Sequence, residues 1–194
     1  ASVDSLPGEG SGSYYGTFSG GTDGQSGFDS LGNQNGSGGI AKFYEQIEDT
    51  NSQGFDPDTA ASGQSSYEEA LDLLSNQDEY DINMLVTPGV IHKHHPVVTN
   101  HAIDKVEARA DAFYVMDGAD IDDNVATAVN NVVNLDTNYV ATYYPWVKIV
   151  DTGKAKPVWV PPSVVLSGVV AYTDKVSHEW FAPAGLNRGG LTEV

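Results

Sequence analysis

The chain has 194 residues, of which 40% are apolar and 19% are charged, and its formal net charge is −18. This length fits one domain, and the apolar share is typical of a globular protein rather than a disordered one. The net negative charge disfavours nucleic acid as a partner. The absence of cysteine excludes disulfides and thiolate metal sites. No apolar run approaches the ~20 residues that a membrane-spanning helix needs.

The first part of the chain is acidic and rich in glycine. Residues 1–92 contain 15 acidic residues and a single basic one, Lys42, and residues 1–39 contain 12 of the 21 glycines. Such a composition buries too little apolar surface to order itself, so we predict a flexible leader over residues 1–13. Residues 14–19 are predicted to form a short strand.

Two helices are predicted before the first buried strand. The first has an apolar stripe at helical spacing, formed by Ile40, Phe43, Tyr44 and Ile47. The second is predicted to begin with Ser66 as its N-cap, because Glu69 three residues later would complete a capping box. Its expected core side is formed by Tyr67, Ala70, Leu71 and Leu74.

Three short apolar runs then alternate with two helical patterns. The runs at residues 81–87, 112–116 and 139–144 are typical of buried strands, and Pro88–Gly89 is expected to end the first. The expected core rows of the helices are Val98, Ala102, Val106 and Ala110, and then Val125, Ala128, Val129, Val132 and Val133. Alternation of this kind predicts an α/β fold with a largely parallel sheet and flanking helices.

The last fifty residues contain all three tryptophans and five of the nine prolines. Residues 151–154 are predicted to form a turn between two extended segments. Pro161 and Pro162 are expected to open a helix, since proline is tolerated in a first helical turn. Gly168 is expected to allow close backbone packing, because it otherwise costs about 1 kcal/mol of helix propensity.

Two clusters of polar side chains raise the alternative of an enzyme. The histidines at 92, 94, 95 and 101 have no recognised zinc spacing, and the carboxylates at 117, 120, 122 and 123 miss the EF-hand pattern. Local hydrogen bonding and helix-start positions account for most of these groups. The alternative to weigh is a divalent-metal-dependent α/β hydrolase that uses Asp117, Asp120 and His92. A soluble adhesin or binding module is a third option.

Five segments of the C-terminal region form a distinctive set, at residues 144–147, 152–154, 159–163, 168–174 and 180–189. Taken together, these segments resemble the core of contractile bacteriophage (myophage) tail sheath proteins. Residues 18–24 (Phe-Ser-Gly-Gly-Thr-Asp-Gly) are similar to a further family motif, with Phe18 in place of the usual leucine. The match is dense over residues 139–191 and loose over residues 14–138.

The resemblance implies a structural protein without catalytic residues, metal or cofactor. Such a subunit packs helically around the tail tube and contracts to drive the tube through the host envelope. The implied partners are other sheath copies, the inner tail tube protein, and baseplate and tail terminator proteins. The implied location is the virion tail, assembled in the host cytoplasm. Sheaths of related contractile injection systems are the alternative within this family.

The family's subunits are longer than this chain and carry terminal arms that join neighbouring copies. We therefore expect residues 14–194 to be a sheath core domain from a longer subunit. The candidate assembly or core motif consists of Trp146, Trp159, Pro161, Pro162, Trp180, Phe181, Pro183, Asn187 and Arg188. Arg188 is the preferred contact candidate, because arginine is rarely buried without a partner.

Overall fold

The computed structural model describes residues 47, 63–151 and 156–191. The elements in this part of the chain are, in order, α1 (Gln64–Leu74), β1 (Met84–Ile91), α2 (Pro96–Arg109), β2 (Phe113–Asp117), α3 (Val125–Val132), β3 (Val140–Thr142), β4 (Val147–Asp151), β5 (Lys156–Val160) and α4 (Pro162–Val176). The predicted leader, the predicted strand at 14–19 and most of the predicted helix at 40–47 lie outside the described residues.

A three-stranded sheet in the order β1-β2-β3 forms the centre, and both pairings are parallel. Leu85 is paired with Tyr114, and Tyr114 with Val140, so the three apolar runs lie side by side. The helices α2 and α3 provide the two crossovers between these strands. The predicted α/β class with a parallel sheet and flanking helices is confirmed. A separate antiparallel pair, β4–β5, places Val147 opposite Val160.

The core lies between this sheet and the helices α1 and α2. Its buried members are Ile47, Leu71, Leu85, Val90, Val98, Ala102, Ile103, Val106, Ala112, Tyr114 and Met116. One charged side chain, Arg109, is buried with them, and its guanidinium donates to the carbonyl oxygens of Leu74 at 2.6 Å and Tyr80 at 3.0 Å. It also forms an ion pair with Asp111 at 2.8 Å, so the buried charge has a counter-charge, and the bond to Leu74 joins α1 to the end of α2.

Strand β1 continues through Pro88 and Gly89 to Ile91, so the prediction that these residues end the strand is wrong. Two conditions make the continuation possible. Among the described strands, β1 lies at the edge of the sheet, and proline is tolerated at such an edge. The pairing with β2 also changes register between Val86 and Ile91, and Gly89 lies there at a φ of 85°, a conformation that glycine adopts freely.

The N-terminus of α1 differs from the predicted capping box. The helix begins at Gln64, its N-cap is Gly63, and no side chain caps it. Ser66 and Glu69 therefore lie inside the helix rather than around its start. Glycine is a common N-cap residue, so α1 can begin after Gly63. The Ser-x-x-Glu spacing at residues 66–69 therefore does not mark the start of this helix. On the expected core side, Leu71 is buried and Tyr67 and Leu74 pack against the core, whereas Ala70 is exposed.

The expected core row of α2 is correct at Val98, Ala102 and Val106, which are all buried. Ala110 is the exception: it is exposed at the C-cap, in a left-handed conformation with φ of 58°.

The predicted core face of α3 is wrong for three of its five residues. Ala128 is buried and Val132 packs against the core, but Val125, Val129 and Val133 are 62%, 54% and 63% exposed. The helix spans only eight residues and connects to the short edge strand β3. Helical spacing defines an apolar face but does not supply an element to cover it, and no described residue covers this one.

Helix α4 begins as predicted, with Pro161 as N-cap and Pro162 at the first helical position. Val169 and Thr173 are buried on its inner side. The expected close packing at Gly168 is wrong, because a Cβ placed there would meet no atom within 4 Å. Within the described part of the chain, no helix is both long enough and apolar enough to cross a membrane.

Candidate functional site

The N-terminus of α4 is fixed to the carboxyl end of β2 by a buried carboxylate. The Ser163 hydroxyl donates to Asp117 Oδ2 at 2.7 Å, and the Ser163 backbone N–H donates to Oδ1 at 3.2 Å. Asp117 therefore takes the role of an N-cap side chain for α4, because it accepts a hydrogen bond from a backbone N–H in the first helical turn. It does so although it lies 46 positions before Ser163 in the sequence. Burial raises the pKa of Asp117 to about 6, and the two bonds from Ser163 oppose that rise.

Trp146 supports the same edge of the sheet. Its side chain is only 5% exposed, and the indole N–H donates to the Ala119 carbonyl oxygen at 2.8 Å. Pro161 and Pro162 are buried at the start of α4. These three members of the predicted motif thus lie in the interior, where they position the helix.

A tight loop follows α4, and its turns account for the Ala-Pro-Ala-Gly-Leu-Asn-Arg-Gly sequence. The Gly189 N–H donates to the Gly185 carbonyl oxygen at 2.8 Å, and Gly185 has a φ of 77°. A Cβ on Gly189 would lie 2.6 Å from the carbonyl oxygen of Pro183, so only glycine fits there. The buried Thr173 hydroxyl lies 3.1 Å from the Arg188 carbonyl oxygen and ties the loop back to α4.

This loop presents an aromatic stack to solvent. The rings of Trp180 and Phe181 stack with centroids 4.3 Å apart, and the ring of His178 stacks on Trp180 at 5.5 Å. The Arg188 guanidinium lies 4.8 Å from the centre of the Phe181 ring, which is a cation–π distance. Trp180 is 76% exposed and Leu186 is 96% exposed, so residues 178–189, the aromatic loop, present two large apolar side chains to solvent.

The remaining predicted motif residues are also at the surface. Trp159 on β5 is 47% exposed, with the Lys148 ammonium 5.7 Å from its ring centre, and Pro183 and Asn187 are exposed in the aromatic loop. The structure therefore divides the predicted motif into an interior group and a surface group. Sequence alone could not separate the two, because large apolar residues occur in both settings.

The polar residues proposed for a metal-dependent hydrolase have separate partners. Asp117 binds Ser163, and Asp120 accepts from Lys93 at 2.6 Å and pairs with His94 at 2.7 Å. The His92 imidazole is hydrogen-bonded to Thr99 at 2.7 Å, and burial lowers its pKa. In the described ranges, no three His, Cys, Asp or Glu side chains are grouped so that they could hold a metal ion.

The other clustered groups are joined in local pairs. Lys93 also contacts Asp123 at 3.0 Å. Burial alone would raise the pKa of Asp123, but the Asp120 backbone N–H and Lys93 lower it overall. His95 is buried, with its ring 2.6 Å from the Ile47 carbonyl oxygen, and His101 pairs with Asp72 at 2.7 Å. The Lys93 contacts thus join the segments that follow β1 and β2, whereas the His101–Asp72 pair joins α2 to α1.

A surface groove between α3 and β3 was not anticipated from the sequence. Its lining is formed by Ala119, Val125, Ala128, Val129, Val132, Thr142, Tyr143 and Tyr144, and its volume is about 140 Å³. The only sequence signal for the groove is the alternation of valine with small residues along α3. The same alternation also fits a helix face that packs in the core, which is the expectation given above.

Comparison with known proteins gives two relatives, both named tail sheath protein. The chain is 35% identical to that of Vibrio phage KVP40 over 74 residues, which are 38% of this chain and 11% of the relative. It is 27% identical to that of Enterobacteria phage T4 over 150 residues, covering 65% of this chain and 22% of the relative. The chain thus spans less than a quarter of either relative. No protein-family model matches it. These similarities support a relationship to phage tail sheath proteins.

Proposed function

We propose that the chain is part of a structural subunit of a contractile phage tail sheath. The observation that carries this proposal is its similarity to tail sheath proteins from two different phages. In this role, copies assemble helically around the tail tube and contract to drive the tube through the host envelope. Contacts between copies that do not close into a ring generate such a helix.

The internal contacts agree with a load-bearing rather than a catalytic role. A subunit that moves during contraction must keep its fold while its contacts to neighbours change. The buried Asp117–Ser163 contact joins α4 to β2, and the buried Arg109 guanidinium joins α2 to α1 through the Leu74 carbonyl oxygen. Energy for movement is then held in a metastable assembly and released over a kinetic barrier, so no nucleotide or metal is needed.

The proposed partners follow from the sheath role. They are other sheath copies, the inner tail tube protein, and the baseplate and tail terminator proteins at the two ends. The proposed location is the virion tail after assembly in the host cytoplasm. We further propose that residues 14–194 are the core domain of a longer subunit, in keeping with the small share of each relative that the chain covers.

Negative-stain microscopy of the product of the complete reading frame tests the proposal. We expect hollow, transversely striated tubes in two forms, long and narrow or short and wide, that differ in length per subunit. Particles that stay monodisperse across protein concentration, salt and added tail tube protein would contradict it.

A further inference from the structure

Helix α4 lies on the face of the three-stranded sheet opposite to α1 and α2. Successive side chains of a strand point to opposite faces of its sheet. Met116 of β2 belongs to the core that α1 and α2 cover, whereas Asp117, the next residue, is bonded to Ser163 of α4. Val115, which is 2% exposed, also lies outside that core. The sheet therefore separates two buried layers.

The layer beneath α4 is the smaller of the two and is partly polar. Only four of the 15 residues of α4 are buried, and two of them, Ser163 and Thr173, are polar. The other two are Pro162 and Val169. The core between the sheet and the helices α1 and α2 contains no residue of α4. Release of α4 thus leaves that core intact, which is the condition for a local opening of the fold.

Once released, α4 loses its helical structure. Its length of 15 residues is close to the lower limit for a helix that is stable alone in water. The interior residue Gly168 lowers this intrinsic stability further. The aromatic loop follows α4 directly and is tied to it through Thr173, so it is released together with the helix. Exchange of the backbone amide hydrogens of α4 therefore reports the opening.

Asp117 connects the first turn of α4 to the sheet. Its carboxylate accepts hydrogen bonds from the Ser163 hydroxyl at 2.7 Å and from the Ser163 backbone N–H at 3.2 Å. A further hydrogen bond from the Gly89 backbone adds a link to β1. Asp117 and Ser163 are 2% and 0% exposed, so release of α4 brings water to a carboxyl group that is otherwise buried.

We propose that α4 and the aromatic loop open from the sheet as one unit while the core stays folded, and that the protonation state of Asp117 controls this opening. The protonated acid favours the closed state, because a neutral carboxyl group is buried at less cost than a carboxylate. The carboxylate favours the open state, in which water solvates it. The opening displaces the exposed side chains of Trp180 and Leu186, and it does not depend on the sheath role.

The direction and size of the effect follow from the pKa of Asp117. Burial raises this pKa from 3.8 to about 6 in the closed state, although the bonds from Ser163 and Gly89 oppose the rise. In the open state the hydrated group returns towards its ordinary pKa, so the closed state binds more protons in the interval between the two values. The equilibrium constant for opening should therefore fall about tenfold from pH 7 to pH 5.

The titratable groups nearest to Asp117 behave differently. On β2, the Tyr114 hydroxyl is bonded to Thr87, and burial raises its pKa, so it stays neutral between pH 5 and pH 7. Strand β1 has no titratable side chain. His92, which follows β1, donates its backbone N–H to the Asp117 carbonyl oxygen at 2.8 Å. Burial lowers the pKa of His92, so acid favours its exposure and opposes the effect of Asp117.

The other charged groups belong to neighbouring segments. Asp120 follows β2 and is paired with Lys93 and His94. The charged residues of α4 itself, Asp174 and Lys175, are exposed and lie about three helical turns from its start. A variant that changes only the carboxyl group bonded to the first turn of α4 separates its effect from all of these groups.

Amide hydrogen exchange measured by mass spectrometry on the intact chain tests the proposal. Wild type, Asp117→Asn and Ser163→Ala are compared at pH 5 and pH 7, with rates corrected for the intrinsic pH dependence of exchange. Asparagine keeps the size and an acceptor oxygen of aspartate but does not titrate. Peptides from α2 report opening of the core and are the internal reference, and circular dichroism verifies that each variant is folded.

In wild type at pH 7, we expect the amides of α4 to be protected at least about tenfold less than those of α2. Their protection should rise about tenfold from pH 7 to pH 5, and this rise should be absent in Asp117→Asn. Ser163→Ala should lower the protection of α4 at pH 7, because it removes a bond that exists only in the closed state.

Equal protection of α4 and α2 in wild type would overturn the proposal, because α4 would then open only together with the core. A rise towards pH 5 that persists in Asp117→Asn would also overturn it, since another group would then control the opening. Unchanged protection of α4 in Ser163→Ala has the same consequence, because the bond to Asp117 would then not hold the helix closed.

Discussion

Asp117 and Ser163 connect the last residue of β2 to the first turn of α4 through two hydrogen bonds, one from the Ser163 hydroxyl and one from its backbone N–H. Both residues are buried, at 2% and 0% exposure. The pair positions α4, and through α4 it positions the aromatic loop. A contact between two interior residues therefore determines where the exposed aromatic loop lies.

Replacement of Ser163 with alanine should destabilise the fold. The change removes the 2.7 Å hydroxyl bond and leaves a buried carboxylate with fewer donors. We expect the free energy of unfolding to fall by about 1.5–3 kcal/mol, the range for hydrogen bonds to charged groups. Urea unfolding at pH 7 measures this loss of unfolding free energy. Ser167→Ala is the control, because the Ser167 hydroxyl makes only a long 3.4 Å bond to Val164 on the same helix. Equal midpoints for the two variants would refute the role of Ser163.

Asp117 should also make stability depend on pH. Its pKa is about 6 in the folded protein, raised by burial from the ordinary value of 3.8. The folded state therefore binds more protons than the unfolded state between these values. The contribution of this group to stability rises as pH falls through 6. From pH 7 to pH 5 the gain is about 1 kcal/mol.

The Asp117→Asn variant isolates this contribution. Other carboxylates, such as Asp123 with its lowered pKa, act in the opposite direction as the solution becomes more acidic. The informative quantity is therefore the difference in unfolding free energy between wild type and variant at each pH. That difference should change by about 1 kcal/mol from pH 7 to pH 5. A difference that stays constant would show that Asp117 titrates normally.

Gly168→Ala should stabilise the protein. Gly168 lies inside α4, is exposed, and has open space around the position of an added Cβ. Alanine is favoured over glycine in a helix interior by about 1 kcal/mol, so the melting temperature should rise. Gly189→Ala is the opposite case, because its Cβ would lie 2.6 Å from a backbone oxygen and 2.8 Å from Ala184 Cα. A loss of stability in Gly168→Ala would mean that close packing occurs there after all.

The sequence was sufficient to predict the three-stranded sheet, because each strand that is buried in a parallel sheet appears in the sequence as a short apolar run. The runs containing Leu85, Tyr114 and Val140 became three adjacent strands. The start of α4 was also predictable, since Pro161 and Pro162 act through their own ring geometry. Each of these features depends on residues that are close together in the chain.

The errors share a different cause, which is that distant residues decide the outcome. Spacing made Val129 a core residue, but burial depends on which element lies opposite, and none of the described ones does. The pairing of Asp117 with Ser163 joins residues 46 positions apart and has no local signature. Burial of the candidate assembly or core motif also depends on distant residues. The motif could therefore be found in the sequence, but its interior members could not be separated from its surface members.

Arg188→Ala should impair assembly while leaving the fold intact. The guanidinium stacks on the Phe181 ring at 4.8 Å, and its Nε reaches the Ala182 carbonyl oxygen only at 3.4 Å, so folding depends little on it. The loop is tied to α4 through the backbone carbonyl oxygen of Arg188, which alanine retains. Circular dichroism of the variant should match wild type, whereas tubes formed by the complete reading frame should be fewer or absent. Lys156→Ala, another exposed cation but on β5, is the control and should assemble normally. If the Arg188→Ala chain is unfolded, Arg188 is needed for folding. If the variant forms tubes as wild type does, Arg188 makes no essential contact between copies.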